Sequence, residues 1–262
     1  IGDLFIAGII PGILVGICLM GYAIIYSVIK GEDRKRINEV VSELRQESFL
    51  HIIKSGFWAL LTPVILLGGI YSGIVTPTEV ACISVVYALI VSLFIYRPIR
   101  LKDLWDILVE TSQSLAPLAL MIAVAVGFGR ILTILQVPTH LGSFMMANFD
   151  SKVAILLVVN LFLLIIGMFM DTGPALLIFA PMLLPLTTEL GISPVHLGII
   201  MTVNMAIGFI TPPFGMTLFV ASPMVNEKPL TLGITALPFI IADLVALLLI
   251  TFVPWFSMGL LK

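Results

Sequence analysis

The chain has 262 residues, 60% of them hydrophobic and only 11% charged, with a formal net charge of -2 at pH 7. Soluble domains run at about 45–50% apolar and about 25% charged, so a mean hydropathy of +1.20 marks a protein whose main solvent is lipid, and the weak charge gives no basis for binding nucleic acid. Cys18 and Cys82 lie in separate apolar runs with no CxxC or Cys/His spacing, which excludes a disulfide framework or a zinc site and reads them as buried small hydrophobes.

No initiator Met and no basic segment or cleavage site precede the first apolar run, so a longer polypeptide is expected upstream. That run, residues 5–29, predicts a transmembrane helix within residues 1–30. Residues 31–54 follow, where Lys30, Arg34, Lys35, Arg36 and Arg45 mark the cytoplasmic side. Ile37, Val40, Val41 and Leu44 recur there at helical spacing, the pattern of an amphipathic helix at the interface or of a solvated connector.

Residues 55–110 hold two apolar segments, 57–71 and 79–96, and an amphipathic linker at 101–110. Arg97, Arg100 and Lys102 place the second flank on the cytoplasmic side too, so the pair is either two full spans or a re-entrant hairpin. Thr78 is expected to cap the second helix and Glu79 to favour its positive end, with a proton-carrying Glu79 as the alternative. Residues 111–151 hold a span at 115–135 and then a segment poor in Lys and Arg, containing Pro138, Thr139 and His140, which reads as an extracytoplasmic loop. His140 and His196 each follow a proline closely and are expected in loops, without ligand spacing for a metal.

In residues 152–190 an apolar run at 153–170 meets Asp171-Thr172-Gly173-Pro174 and a second run containing Pro181 and Pro185, which predicts a helical hairpin. Residues 191–228 are apolar but carry an interruption at 208–215, with Gly208, Thr211, Pro212, Pro213 and Gly215, so an interrupted transmembrane helix is expected. A last span lies in residues 229–262. The residues alone therefore give an all-α integral membrane protein.

Adjacent prolines remove amide donors and glycines permit unusual backbone angles. In lipid an unpaired backbone group costs several kcal/mol, so such breaks persist where protein, water or ions line them. Discontinuous helices offer amide-rich N-termini to an anion and carbonyl-rich ends to a hard cation such as sodium. Asp171 is thus either a site residue or the N-cap of the helix after it, with Pro174 in its first turn. The Thr211-Pro212-Pro213 run is either a site or a proline kink, and Asn204 and Thr211 offer further oxygens beside it. Arg130 and Asp243 interrupt apolar spans and are expected to pair or to face an aqueous cavity. HExxH, GxxxxGK[ST] and GxSxG motifs are absent, which argues against an enzyme of those classes.

Three segments carry a family resemblance: Gly167-Met168-Phe169-Met170-Asp171-Thr172-Gly173-Pro174, Gly191-Ile192-Ser193-Pro194-Val195-His196-Leu197-Gly198, and Asn204-Met205-Ala206-Ile207-Gly208 running into Thr211-Pro212-Pro213-Phe214-Gly215. Supporting them are Ile6-Ala7-Gly8-Ile9-Ile10-Pro11-Gly12 and Gly73-Ile74-Val75-Thr76-Pro77-Thr78-Glu79. The chain resembles, over essentially its whole length, the C-terminal part of the large membrane subunit of tripartite ATP-independent periplasmic (TRAP) transporters.

That resemblance implies an elevator-type transporter of the bacterial inner membrane with inverted repeats, each with a re-entrant helical hairpin and an interrupted helix. It implies sodium-coupled import of small organic acids such as C4-dicarboxylates, sugar acids or sialic acid, together with a small Q-type membrane subunit and a periplasmic P-type binding protein. The first helix would end the first repeat, and the shared apolar run with Pro11 and Pro238 in register agrees. The implied sodium and substrate site comprises Asp171, Thr172, Gly173, Pro174, Asn204, Gly208, Thr211, Pro212 and Gly215, with Na+ on oxygens at Thr172, Gly173, Gly208 and Thr211. Glu79, Arg130 and Asp243 are read as structural charges. A passive channel and an assembly subunit without its own site are the competing readings.

Overall fold

A computed structural model of the chain describes residues 2–31, 38, 41, 49–149 and 151–261. The interfacial helix expected at 31–54 lies mostly outside the described residues. The described elements are helices: α1 (Gly2–Ala7), α2 (Ile9–Lys30), α3 (Phe49–Ser72), α4 (Pro77–Ile90), α5 (Asp103–Ile134), α6 (Val137–Asn148), α7 (Lys152–Phe169), α8 (Thr172–Glu189), α9 (Pro194–Ile210), α10 (Met216–Val225), α11 (Pro229–Phe252) and α12 (Trp255–Met258). Among the described residues, five stretches are long and apolar enough to cross a bilayer: Gly2–Ile29, Pro77–Ile95, Asp103–Ile134, Lys152–Phe169 and Pro229–Phe252.

The chain divides into two compact units, Ile1–Phe5 with Ile24–Leu115, and Ile6–Ala23 with Ala116–Lys262. In the first, α3 and α4 pack through Gly69, where a Cβ would lie 2.6 Å from Val80 Cγ2, and through the Tyr87 hydroxyl, which donates to the Trp58 carbonyl at 2.8 Å. The α4 cap is Thr76, one residue pair earlier than the expected Thr78. Its hydroxyl accepts from the Glu79 amide at 3.4 Å, and the Glu79 carboxylate accepts the Thr76 amide at 2.7 Å. This reciprocal capping box satisfies two orphan donors with Pro77 already in place at the first turn, a structural role for Glu79.

Two further expectations need correcting. The linker at 101–110 and the span after it form one helix, Asp103–Ile134. Its polar residues stay helical because their hydroxyls bond back to the preceding turn: Thr111 Oγ1 donates to the Ile107 carbonyl at 2.6 Å and Ser112 Oγ to the Leu108 carbonyl at 2.8 Å. Pro138 and Pro194 open helices α6 and α9, so His140 and His196 are helical rather than in loops. Proline in a first turn loses nothing, because that amide has no intrahelical partner. A left-handed Gln136 (φ 54) makes the corner between α5 and α6.

The second unit is built around α9. Met201 and Met205 of α9 pack with Val159 and Leu163 of α7 and with Ala175 and Leu183 of α8 in its main core. Ile207 of α9 joins Ile240 and Leu247 of α11 on another side. At the base of the α7–α8 hairpin the Lys152 ammonium donates to the Leu190 carbonyl at 2.8 Å. Gly191 (φ 69) ends α8 there with a left-handed turn, its amide bonding the Thr188 carbonyl at 2.9 Å.

Candidate functional site

The first break is shorter than the expected 171–174. Helix α7 ends at Phe169 and α8 begins at Thr172, leaving Met170 and Asp171 extended between them. Asp171 is the N-cap: its Oδ1 accepts the Thr172 amide at 2.8 Å. Its own carbonyl accepts the Ala175 amide at 3.2 Å, and Pro174 has no amide to offer. The Gly173 N–H is therefore the first-turn donor left without a helical partner. Gly173 is exposed, and a Cβ there would meet nothing within 4 Å. The Thr172 hydroxyl makes no hydrogen bond to a described residue.

The second break is also shorter than expected, 211–215 rather than 208–215, because α9 continues through Gly208 to Ile210. Gly208 serves a crossing of helices instead. A Cβ on Gly208 would lie 2.5 Å from the Gly167 carbonyl carbon, and one on Gly167 would lie 3.1 Å from Met205 Cα, so α7 and α9 touch backbone to backbone. After Ile210 the prolines take over, joined by a cis peptide bond. The Thr211 amide turns back to the Gly208 carbonyl at 3.0 Å, and its hydroxyl donates to the Ile207 carbonyl at 2.7 Å. Pro212 and Pro213 stand three and four residues after Phe209, so the Phe209 carbonyl has no helical donor. The Gly215 amide closes the turn onto the Thr211 carbonyl at 3.0 Å. A Cβ on Gly215 would lie 2.5 Å from the Phe209 oxygen, and one on Gly233 of α11 would lie 2.8 Å from Pro212 Cβ. The interruption is thus folded tightly by contacts that only glycine permits.

The two breaks lie together. The rings of Phe169 and Phe214 sit 4.7 Å apart between centroids at an interplanar angle of 35°. A cavity of 620 Å³ is lined by Met170 and Asp171 from the first break, Pro174 from the first turn of α8, Met216 from the start of α10, and apolar side chains of α5 such as Leu120, Val124 and Phe128. The positive ends of α8 and α10 therefore approach one apolar space.

Asn204 does not line that cavity. It is fully enclosed at 0% exposure, and its side-chain amide donates to Asn160 Oδ1 at 2.7 Å and to the Ile200 carbonyl at 2.9 Å. Asn160 in turn donates to Thr251 Oγ1 at 3.1 Å, and His196 bonds Ser257 through Nδ1 and approaches the Thr251 carbonyl at 3.3 Å through Nε2. This polar ladder ties α7, α9, α11 and α12. Sequence reasoning missed Asn160, Thr251 and Ser257, although a lone Asn at the centre of an apolar run is the signal that finds such a group. It also missed Met216 and the Phe169–Phe214 contact, which no spacing reveals. Arg130 is exposed on α5, Asp243 is buried on α11, and no ion pair joins them among the described residues, which corrects the expected pairing.

Comparisons with known proteins agree with these observations. The model of the family described as the tripartite ATP-independent periplasmic transporter, DctM component, matches residues 1–256. The isethionate TRAP transporter permease protein DctMQ of Oleidesulfovibrio alaskensis is 43% identical over 254 residues, 97% of this chain and 39% of the relative. The C4-dicarboxylate TRAP transporter large permease protein DctM of Pseudomonas aeruginosa is 43% identical over 99% of this chain and 60% of its own length. The sialic acid TRAP transporter large permease protein SiaM of Vibrio cholerae is 37% identical over 98% of this chain and 59% of its own length. The chain thus spans between 39% and 60% of the length of these curated relatives.

Proposed function

We propose, from the premise that this chain belongs to the DctM component family of tripartite ATP-independent periplasmic transporters, that it supplies one half of the ion and substrate site of a sodium-coupled importer of small organic acids. The family is one of transport proteins rather than enzymes, and its members are multi-pass proteins of the inner membrane. The relatives' names cover C4-dicarboxylates, sialic acid and isethionate, all of which are small anions.

The observation that carries this reading is that the first break and the start of α10, which follows the second, border one cavity of 620 Å³. An anionic headgroup there would be received by first-turn amides at Gly173 and Met216, whose donors have no helical partner. Sodium would sit on oxygens at Thr172 and Gly173 after the first break and at Gly208 and Thr211 around the second, with the donor-free Phe209 carbonyl as an additional ligand. Binding of the ion would order the break and so aim the amides at the substrate. A small membrane subunit and a periplasmic binding protein would complete the transporter; one relative is named DctMQ. The second unit would carry the site across in an elevator motion, with an upstream repeat contributing the other half.

The test is uptake of radiolabelled organic acids by proteoliposomes holding the full-length transporter with its binding protein, with and without an inward sodium gradient. Sodium-driven uphill accumulation that Thr211→Ala weakens about tenfold or more, the cost of removing one polar ion contact, is the expected result. Accumulation indifferent to sodium rejects the coupling. Equilibration without uphill accumulation points to a passive pore, and unimpaired coupling in the variant moves the ion elsewhere.

A further inference from the structure

Asp243 stands in the middle of the apolar helix α11 at 5% exposure. Its carboxyl makes no hydrogen bond or ion pair with a described residue, and Oδ1 is fully enclosed. It borders a separate cavity of 280 Å³ whose other walls are Gly8, Pro11 and Gly12 at the start of α2 and Thr202, Val203 and Ile207 of α9. None of these residues lines the larger cavity beside the breaks.

An ionised carboxylate left alone in a low-dielectric interior costs several kcal/mol, so a cation must accompany it, and the walls decide which. A hard metal cation needs several oxygens at once. Here Thr202 is the one lining residue besides Asp243 with a side-chain oxygen, and its hydroxyl is turned to donate to the Gly198 carbonyl at 2.8 Å, so the side chains fall short of a coordination shell. The rest of the wall is hydrocarbon and glycine. A proton needs no coordination shell, and the neutral acid it creates tolerates apolar walls. Among the described residues that line the cavity, Asp243 is the one titratable group; Cys18, Tyr22 and Tyr26 of α2 and His196 of α9 do not line it.

We propose that this cavity is a proton-binding site, in which the Asp243 carboxylate takes one proton from hydronium, leaving water, to become the neutral acid, and gives that proton back to a water molecule on ionising. No other bond changes. The site lies outside the sodium and carboxylate chemistry proposed above, and gives the second unit a group that carries charge in one state and none in the other.

The experiment uses the complete transporter reconstituted in liposomes and reads infrared difference spectra across a pH titration in sodium-free buffer. A carboxylic-acid C=O stretch that appears on acidification in the wild type and is missing from Asp243→Asn is the expected result. Because this readout involves no transport, its failure is distinguishable from failure of the sodium-coupled reading. Uptake provides the second readout: a single-proton limb changes rate about tenfold per pH unit, and Asp243→Asn is expected to flatten it below about twofold. An identical band in the variant, or a carboxylate ionised throughout the range, overturns the proposal. So does sodium abolishing the band at fixed pH, which would make the cavity a sodium site. If Asp243→Asn does not assemble, Asp243→Glu keeps the acid in altered surroundings, and an unshifted titration midpoint in that variant overturns the assignment equally.

Discussion

The interruption between α7 and α8 and the one between α9 and α10 differ in what holds them. At the first, a side chain does it: Asp171 Oδ1 takes the Thr172 amide at 2.8 Å, and the residues around the turn, Gly173 above all, have open space beside them. At the second, no side chain caps α10, and missing side chains set the shape. Gly215 lies against the Phe209 and Thr211 backbone, Gly233 against Pro212, and Gly208 just before the break against Gly167. A break held by a polar cap can be loosened and reformed at the cost of about one hydrogen bond. A break held by close backbone approach has one arrangement, and any added atom displaces a helix.

Substitutions graded by size test that difference. Gly208→Val is expected to have the largest effect, about 3 kcal/mol or more, since its first side-chain carbon alone would lie 2.5 Å from Gly167. Thermal unfolding of the complete transporter reads it, and a melting temperature within error of wild type would mean that the helices do not cross there. Gly215→Ala should follow at about 2 kcal/mol, accompanied by loss of sodium-driven uptake. Full uptake with normal stability would detach the turn from the site. Asp171→Ala should cost about 1 kcal/mol while Asp171→Asn, which can still cap, costs a few tenths. Equal losses for the two variants would show that charge rather than capping holds the first break. Gly173→Ala is expected to be smallest, within about 0.5 kcal/mol, because the residue is helical and its surroundings are empty. A cost above that of Asp171→Ala would erase the distinction between the two interruptions.

The sequence shows where the backbone is disturbed better than how far the disturbance reaches. Pro174 and Pro212 both flag a break, but Pro174 sits inside the first turn of α8 whereas Pro212 forbids helix. The same letter serves both uses, and only its offset from the cap tells them apart. That is why both expected breaks were too long and why Pro138 and Pro194 were mistaken for loop markers. Polar residues misled in the same way at Thr111 and Ser112, whose hydroxyls satisfy the turn behind them and let α5 run on. Gly208 was legible as unusual but not in its role, since a helix-crossing glycine and a loop glycine differ in their tertiary neighbours alone. Asn204 was legible as polar in an apolar run; its engagement with Asn160 across 44 residues of chain was not. The family resemblance, resting on whole segments rather than single residues, was unaffected by these local errors.

The crossing of Gly167 and Gly208 has a genetic corollary. At an ordinary core contact a too-large substitution on one helix can be relieved by a smaller residue facing it. Here neither partner has a side chain to give up, so no compensating exchange at the contact exists. Second-site suppressors of Gly208→Ala must instead let α7 and α9 move apart. They should fall at positions that set the spacing around α9, among them Leu164, Val203 and Ile210, which pack about Ile207 and Ile240.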